Sequence, residues 1–326
     1  MVSFWNKLKL LTKPFLILAP LDGVTDFVFR EIIAETAKPD VFFTEFTSIN
    51  ALCSEGYDKT IARLKYSEKQ RYIVAQIWGT DPQKFYKTAE LVKDLGFDGI
   101  DINMGCPDRD VMKLGSGASH IKNPRLAAEI IAAVKDAANG LPISVKTRIG
   151  INTPVTQSWI QFLLDQNLDA ITIHGRTAAE LSKAKAHWEE IEKVVNMRDQ
   201  MSINTVVIGN GDIKSVEETF DVHTKYKVDG VMIGKGVFTN PWIFERIPKK
   251  HTTNEYLNLL LKHTKLFCDT YPEKYRFAVM KKFFKIYVKS FYGANNLKIQ
   301  LMETKSFLEV ENLVKLFLPD KESIVR

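Results

Sequence analysis

Eight short runs of apolar, often β-branched residues recur through the first 234 residues, each followed by a stretch with helical spacing, and this alternation narrows the fold most. They lie at 15–19 (FLILA), 40–44 (DVFFT), 72–77 (YIVAQI), 98–103 (DGIDIN), 142–148 (PISVKTR), 169–174 (DAITIH), 204–209 (NTVVIG) and 229–234 (DGVMIG). Strands separated by helices pair in parallel, and eight such units predict an α/β (β/α)8 TIM barrel. A doubly wound open sheet alternates in the same way, so the polar residues must decide. Gln76 ends the third run, Asn103 the fourth, Lys146 and Arg148 the fifth and His174 the sixth, while Asn210-Gly211-Asp212 follows the seventh. In a barrel these strand ends share one mouth. Period-two alternation aims them together: Ile143, Val145, Ile171 and Ile173 toward the helices, Lys146, Arg148, Thr172 and His174 toward the lumen.

The stretch that carries chemistry is DGIDINMGCPDRDV, residues 98–111. Ile100 and Ile102 alternate with Asp101 and Asn103, Gly105 is expected to let the backbone turn, and Pro107 fixes the residue after Cys106. This puts a thiol on a strand-end loop, where catalytic groups concentrate. Taken alone, the stretch fits a buried loop cysteine equally well.

The three cysteines, Cys53, Cys106 and Cys268, have no CxxC spacing, so neither a disulfide framework nor a metal site is expected and a reducing cytoplasm fits. No apolar run reaches the roughly 18 residues of a membrane span. Near the start, Phe4, Trp5, Leu8 and Leu11 keep helical spacing among Lys7, Lys9 and Lys13, which predicts a short helical extension over 1–14 closing the bottom of the next domain. Asp81-Pro82 and Asn123-Pro124 read as helix starts, and the aspartates that open the runs at Asp98, Asp169 and Asp229 as structural.

Phosphate sites in such barrels use the loops after strands seven and eight. Here Gly209-Asn210-Gly211-Asp212 follows the seventh and Gly234-Lys235-Gly236 the eighth, which points to a phosphorylated cofactor. Gly115-Ser116-Gly117 follows no strand and is not a dinucleotide fingerprint. Lys146 would stabilise negative charge on a reduced flavin ring and Gln76 would bond its pyrimidine edge. Cys106, protonated at neutral pH as an ordinary thiol is, would supply the proton when an activated double bond is reduced.

With these residues in place, the motifs PLDGVTDFVFR from Pro20, DINMGCPDRDV, GSGASHIKNP, SVKTRIG, ITIHGRT, NGDI and GKGVFTNPW stand in an order and spacing that resembles the flavin-dependent tRNA-dihydrouridine synthases. The likeness covers residues 15–245. It implies an FMN enzyme that reduces the 5,6 double bond of uridine in tRNA, with NADPH reloading the flavin. By position it implies Cys106 as proton donor, Pro20, Leu21 and Asp22 as first-strand flavin contacts, and Gln76 and Lys146 as ring contacts. His174, Asn210, Gly211, Asp212, Gly234 and Lys235 match ribityl and phosphate contacts, and Asn103 and Arg176 match substrate-side positions; Arg148, aimed at the lumen, is expected to bind substrate as well. Leu21, Asp22 and Lys235 depart from the family's usual methionine, alanine or glutamate, and arginine; His120 replaces an aliphatic residue and is expected to pack.

Charge adds the partner. Residues 247–326 hold 15 Lys+Arg against 8 Asp+Glu, a net +7, whereas residues 1–246 hold 30 against 31, a net −1. Helical patterns at about 253–270, 273–291, 295–303 and 306–318 predict an all-helical C-terminal domain over 247–326, distinct from a catalytic barrel over 15–246. From Lys274 to Lys289 the chain carries Lys274, Arg276, Lys281, Lys282, Lys285 and Lys289 with no acid; these are expected to meet tRNA phosphates. The interleaved Tyr275, Phe277, Phe283, Phe284 and Tyr287 are expected to form core. The expected protein is a monomer, free of metal and membrane. Two rivals stay open: a flavin barrel reductase acting on a free small molecule, as dihydroorotate enzymes do, and a catalytically silent RNA-binding barrel.

Overall fold

The computed structural model describes residues 3–11, 14–271 and 277–318. Among the described residues nine strands form: β1 (Phe15–Leu18), β2 (Val41–Phe43), β3 (Thr47–Ser48), β4 (Ile73–Trp78), β5 (Gly99–Met104), β6 (Ile143–Gly150), β7 (Ala170–Thr177), β8 (Val206–Asn210) and β9 (Gly230–Ile233). All pair in parallel, and β1 pairs with both β2 and β9 while β2 also pairs with β4, so the sheet closes on eight staves. The expected (β/α)8 barrel is what forms.

The second stave comes in two pieces. β2 pairs Phe42 and Phe43 with Ile73 and Val74, and β3 pairs Thr47 and Ser48 with Ile77 and Trp78 further along β4. Between them Thr44 Oγ1 accepts the Gln76 amide at 3.0 Å, so a side chain replaces a ladder bond. β6 and β7 outrun their sequence reading, ending at Gly150 and Thr177, because they stay paired across a bulge after Arg148. Asp81 and Asn123 do cap helices Pro82–Asp94 and Pro124–Ala138, each with proline in the first turn.

At the N-terminal rim one device recurs four times. Asp40 accepts the Leu16 amide at 2.6 Å, Asp98 that of Ile73 at 2.8 Å, Asp169 that of Ile143 and Asp229 that of Val207, both at 2.9 Å. Each aspartate opens an even-numbered stave and satisfies an N–H near the start of the stave before it. Beneath this rim helix Phe4–Leu11 inserts Trp5, fully buried, among Phe15, Phe43, Val74, Val206 and Met232, and Lys9 pairs with Asp229 at 3.2 Å. Lys13 lies outside the described residues, as does the Leu11 side chain.

Contacts divide the chain into two compact units, residues 1–27 with 39–234, and 28–38 with 235–326. The second gathers helices Thr253–Thr270, Ala278–Tyr287, Ala294–Glu303 and Phe307–Phe317 with the segment after Phe27. Its core includes Phe29 stacked on Phe283 at 5.4 Å, and His263 Nδ1 bonded to Tyr287 Oη at 2.8 Å. Lys274, Tyr275 and Arg276 lie outside the described residues.

Candidate active site at the mouth of the barrel

The loop after β5 is fastened before any ligand is considered. Asn103, at the lumen end of the strand, turns Oδ1 toward its own loop and accepts the amides of Gly105 at 3.1 Å and Cys106 at 2.9 Å. Gly105 keeps a negative φ; a Cβ there would stand 3.1 Å from the Thr147 backbone, so it is the close approach to β6 that favours the glycine, not the turn expected of it. Behind the thiol, Gly117 (φ 60°) opens the 3-10 turn Gly117–Lys122, where a Cβ would come within 2.6 Å of the Cys106 carbonyl. Ala118 donates to that carbonyl at 3.0 Å. His120, fully buried, bonds the Gly79 carbonyl through Nε2 at 3.1 Å, and burial pushes its pKa down to about 4. The neutral ring thus bolts this turn to the loop after β4.

Arg148 spans the same region from β6. Its Nε donates to the Gly105 carbonyl at 2.9 Å and its Nη1 to Thr177 and Leu181 carbonyls at 2.8 and 3.1 Å, leaving Nη2 for anything outside the protein. Asn103 is similarly engaged, since Nδ2 donates to Gln76 Oε1 at 3.0 Å and one Nδ2 hydrogen remains. Gln76 in turn donates to Asp101 Oδ2 at 2.7 Å, and Ser144 to Asp101 Oδ1 at 2.6 Å. Asp101 is fully buried, which lifts its pKa to about 6 against the lowering effect of these two bonds and of Lys146.

Lys146 sits one stave over, paired with Asn103 in register, and reaches Asn210 Oδ1 at 3.3 Å. Desolvation and the nearby Arg148 bring its pKa down to about 8, with Asp101 and Cys106 acting the other way. An ammonium in such a place is stabilised by any anion brought against it. Cys106 is partly buried, and that burial raises its pKa above the usual thiol value while Arg148 and Lys146 pull it down. The thiol therefore keeps its proton at neutral pH.

The remaining candidates fall into two groups. His174, Arg176 and Asp212 come together: Arg176 contacts His174 Nε2 at 3.1 Å and pairs with Asp212, which also accepts the Ala186 amide at 2.8 Å. Asn210 holds the Met232 carbonyl at 2.9 Å, and Gly234 on the next stave has Ala19 and Leu21 as neighbours, with 3.7 and 3.8 Å of room for a Cβ. Pro20-Leu21-Asp22 begins a turn in which Leu21 accepts the amides of Val24 and Thr25 and Asp22 pairs with Arg63 at 2.6 Å. Gly211 precedes Asp212, and Lys235, which immediately precedes the short helix Gly236–Thr239, belongs to the second unit.

In that second unit Lys282 and Lys285 are exposed on helix Ala278–Tyr287, while Lys281 bonds the Met302 carbonyl. Phe283, Phe284 and Tyr287 are buried, as core aromatics should be. The sequence reading passed over Asp101 and Ser144. Their lumen-facing phase, two residues before Asn103 and Lys146, was the available signal.

Among the described residues no cluster of His, Cys, Asp and Glu fits a metal ion, and no helix is long and apolar enough to cross a membrane. The sequence profile of the family described as Dihydrouridine synthase (Dus) matches residues 17–320. A protein of Staphylococcus aureus (strain COL) named "Probable tRNA-dihydrouridine synthase" is 44% identical over 97% of this chain and 95% of its own length. One of Bacillus subtilis (strain 168), "Probable tRNA-dihydrouridine synthase 2", is 43% identical over 96% and 95%. Among solved structures, a 2-naphthoyl-CoA reductase complex aligns with a TM-score of 0.54 at 10% identity, covering 71% of this chain and 49% of that one; this likeness concerns the barrel fold alone.

Proposed function

The chain belongs to the dihydrouridine synthase family, and from that premise we propose that it reduces the 5,6 double bond of uridines in tRNA, with flavin mononucleotide as cofactor, NADPH as electron donor and Cys106 as the acid. The observation that carries the reading is the pairing of a thiol kept protonated by burial with a partly desolvated ammonium, Lys146, at one mouth.

The residues present suit the cofactor. Lys146, whose charge burial disfavours, gains from an anionic ring; Asn210 bonds it, Asn103 lies beside it in register, and Gln76 would offer its amide from two staves away. Pro20, Leu21 and Asp22 would line the ring from the first stave, His174 the ribityl chain, and Gly211, Asp212, Gly234 and Lys235 the phosphate. Bound flavin mononucleotide supplies the hydride for one carbon of the double bond.

The other carbon takes its proton from the chain. Cys106 Sγ releases it and becomes a thiolate, which the charges of Arg148 and Lys146 stabilise until solvent restores the proton. The Asn103, Arg148 and Ala118 bonds hold the loop through this exchange. A stacked uridine must be splayed out to enter, at a cost of a few kcal/mol. Lys281, Lys282 and Lys285 would offset it through phosphate contacts, with Asn103, Arg148 and Arg176 offering their remaining donors to the base. Such a protein acts in the cytoplasm, where tRNA is.

The test is direct: purified protein carrying flavin, given tRNA that lacks dihydrouridine and NADPH, should form dihydrouridine detectable by mass spectrometry. A bound anion raises the pKa of Lys146 above the value of about 8 that burial gives it, so turnover should fall only on the alkaline side of pH 8, as Lys146 loses its proton. A colourless protein, or one that modifies no tRNA, would refute the reading.

A further inference from the structure

One hydrogen-bond chain runs from the buried wall of the barrel to the reactive loop, and all its donors point the same way. Gly105 and Cys106 amides donate to Asn103 Oδ1, Asn103 Nδ2 to Gln76 Oε1, and Gln76 Nε2 to Asp101 Oδ2, at 3.1, 2.9, 3.0 and 2.7 Å. Ser144 holds the other carboxylate oxygen at 2.6 Å. A primary amide can turn over and exchange its N and O without changing shape, so only its neighbours fix its direction. Here both ends do. The two backbone amides can only donate, and an ionised carboxylate can only accept.

We propose that Asp101 is a positioning residue: its buried carboxylate sets the direction of the Gln76 and Asn103 amides and so holds the backbone of Cys106 in one conformation. Two staves, β4 and β5, thereby share one anchor. Without it, only the loop amides orient the chain: Gln76 Nε2 is left in the wall with no acceptor, so the Gln76 side chain is no longer held against Asn103, and Asn103 keeps the loop with one of its two ends untethered. The inference deepens the reading of Cys106 as acid, on which its consequence for turnover rests.

The experiment combines amide hydrogen exchange with kinetics on the flavin-loaded enzyme. In Asp101→Ala, exchange at Gly105 and Cys106 should quicken by on the order of 10-fold while the Ile100 and Val145 amides, in the strands, keep their protection. The value of kcat should fall by on the order of 100-fold with KM for tRNA little changed, since a misplaced acid affects the reacting step. Asp101→Asn should restore both. Its Oδ1 still accepts from Gln76, and its Nδ2 donates to Ser144 Oγ, whose own hydrogen then turns to the Ile100 carbonyl at 3.5 Å. Unchanged exchange at 105 and 106 in Asp101→Ala, or no recovery in Asp101→Asn, overturns the proposal. Should the alanine variant not fold, Gln76→Leu cuts the same chain one link on and must loosen the same two amides; if it leaves them protected, the proposal fails. Cys106→Ala separates the two ideas, because full turnover in that variant would remove the acid and leave the exchange result standing.

Discussion

The two rims of this barrel are made from the same strands and solve different problems. At the N-terminal rim, Asp40, Asp98, Asp169 and Asp229 repeat one interaction at four places, a carboxylate accepting an amide from the neighbouring stave. Toward the C-terminal rim these five polar residues repeat no such interaction: Gln76, Asn103, Lys146, His174 and Asn210, on five staves, have Asp101, Gln76, Asn210, Arg176 and the Met232 carbonyl as partners. Repetition marks a requirement of the backbone, which every stave shares. Its absence marks a requirement imposed from outside, because a ligand has no eightfold symmetry. Substitutions at the mouth should therefore cost activity, and those at the base should cost stability.

The largest expected effect tests the mouth. Cys106→Ala should lower dihydrouridine formation by on the order of 10³-fold, within the range of general-acid contributions, and leave the denaturant midpoint nearly unchanged. Single-turnover assays with reduced enzyme and unmodified tRNA measure the first quantity, urea titration the second. A variant that keeps its turnover, or that loses several kcal/mol of stability, would place Cys106 with the structural rim instead.

Next comes the base. Asp229 is nearly buried and pairs with Arg198, also nearly buried, besides its contacts with Lys9 and the Val207 amide. Breaking a buried pair from one side leaves an uncompensated charge and costs about 3–5 kcal/mol. Asp229→Ala should lose that much in urea unfolding, yet the fraction still folded should turn over at the normal rate. Loss of rate without loss of stability would erase the contrast between the rims.

How much of this was legible without coordinates follows from the same contrast. The staves could be read because each is a run of apolar residues bounded by Asp, Gly or Pro, and the mouth could be read because polar residues broke those runs always at the same end. What could not be read was partnership. Asn103, matched by resemblance to the substrate side, and Arg148, expected there from its lumen-facing phase, spend most of their hydrogen bonds inside the protein, on the Cys106 loop and on the Thr177 and Leu181 carbonyls, since a side chain long enough to meet a ligand can also reach the backbone. Gly105 turned out to serve close approach to β6, a property of a distant stretch of chain. The second piece of the broken second stave escaped notice because it is only Thr47-Ser48, beyond the run read at 40–44, and composition does not show that the Thr44 hydroxyl substitutes for the ladder between the two pieces. His120 looked out of place in its motif, and only the position of Gly79 explains it.

The smallest effect gives the finest test of whether the basal aspartates act as a set. Asp169 makes the same amide contact as Asp229, to Ile143 at 2.9 Å, but is only partly buried, and the nearby cation is Lys135, tied to the Gln166 and Asn167 carbonyls. Removing it leaves one N–H short of a partner and breaks no buried ion pair, so Asp169→Ala should cost about 1 kcal/mol, several-fold less than Asp229→Ala. Asp169→Asn keeps an acceptor oxygen in place and should recover most of that. The measurement is urea unfolding of the three proteins side by side, with turnover as control. An alanine penalty equal to that at Asp229 would mean that the amide contact, and not the ion pair with Arg198, dominates at every repeat; a penalty that the asparagine fails to relieve would mean that charge at this rim matters more than the bond.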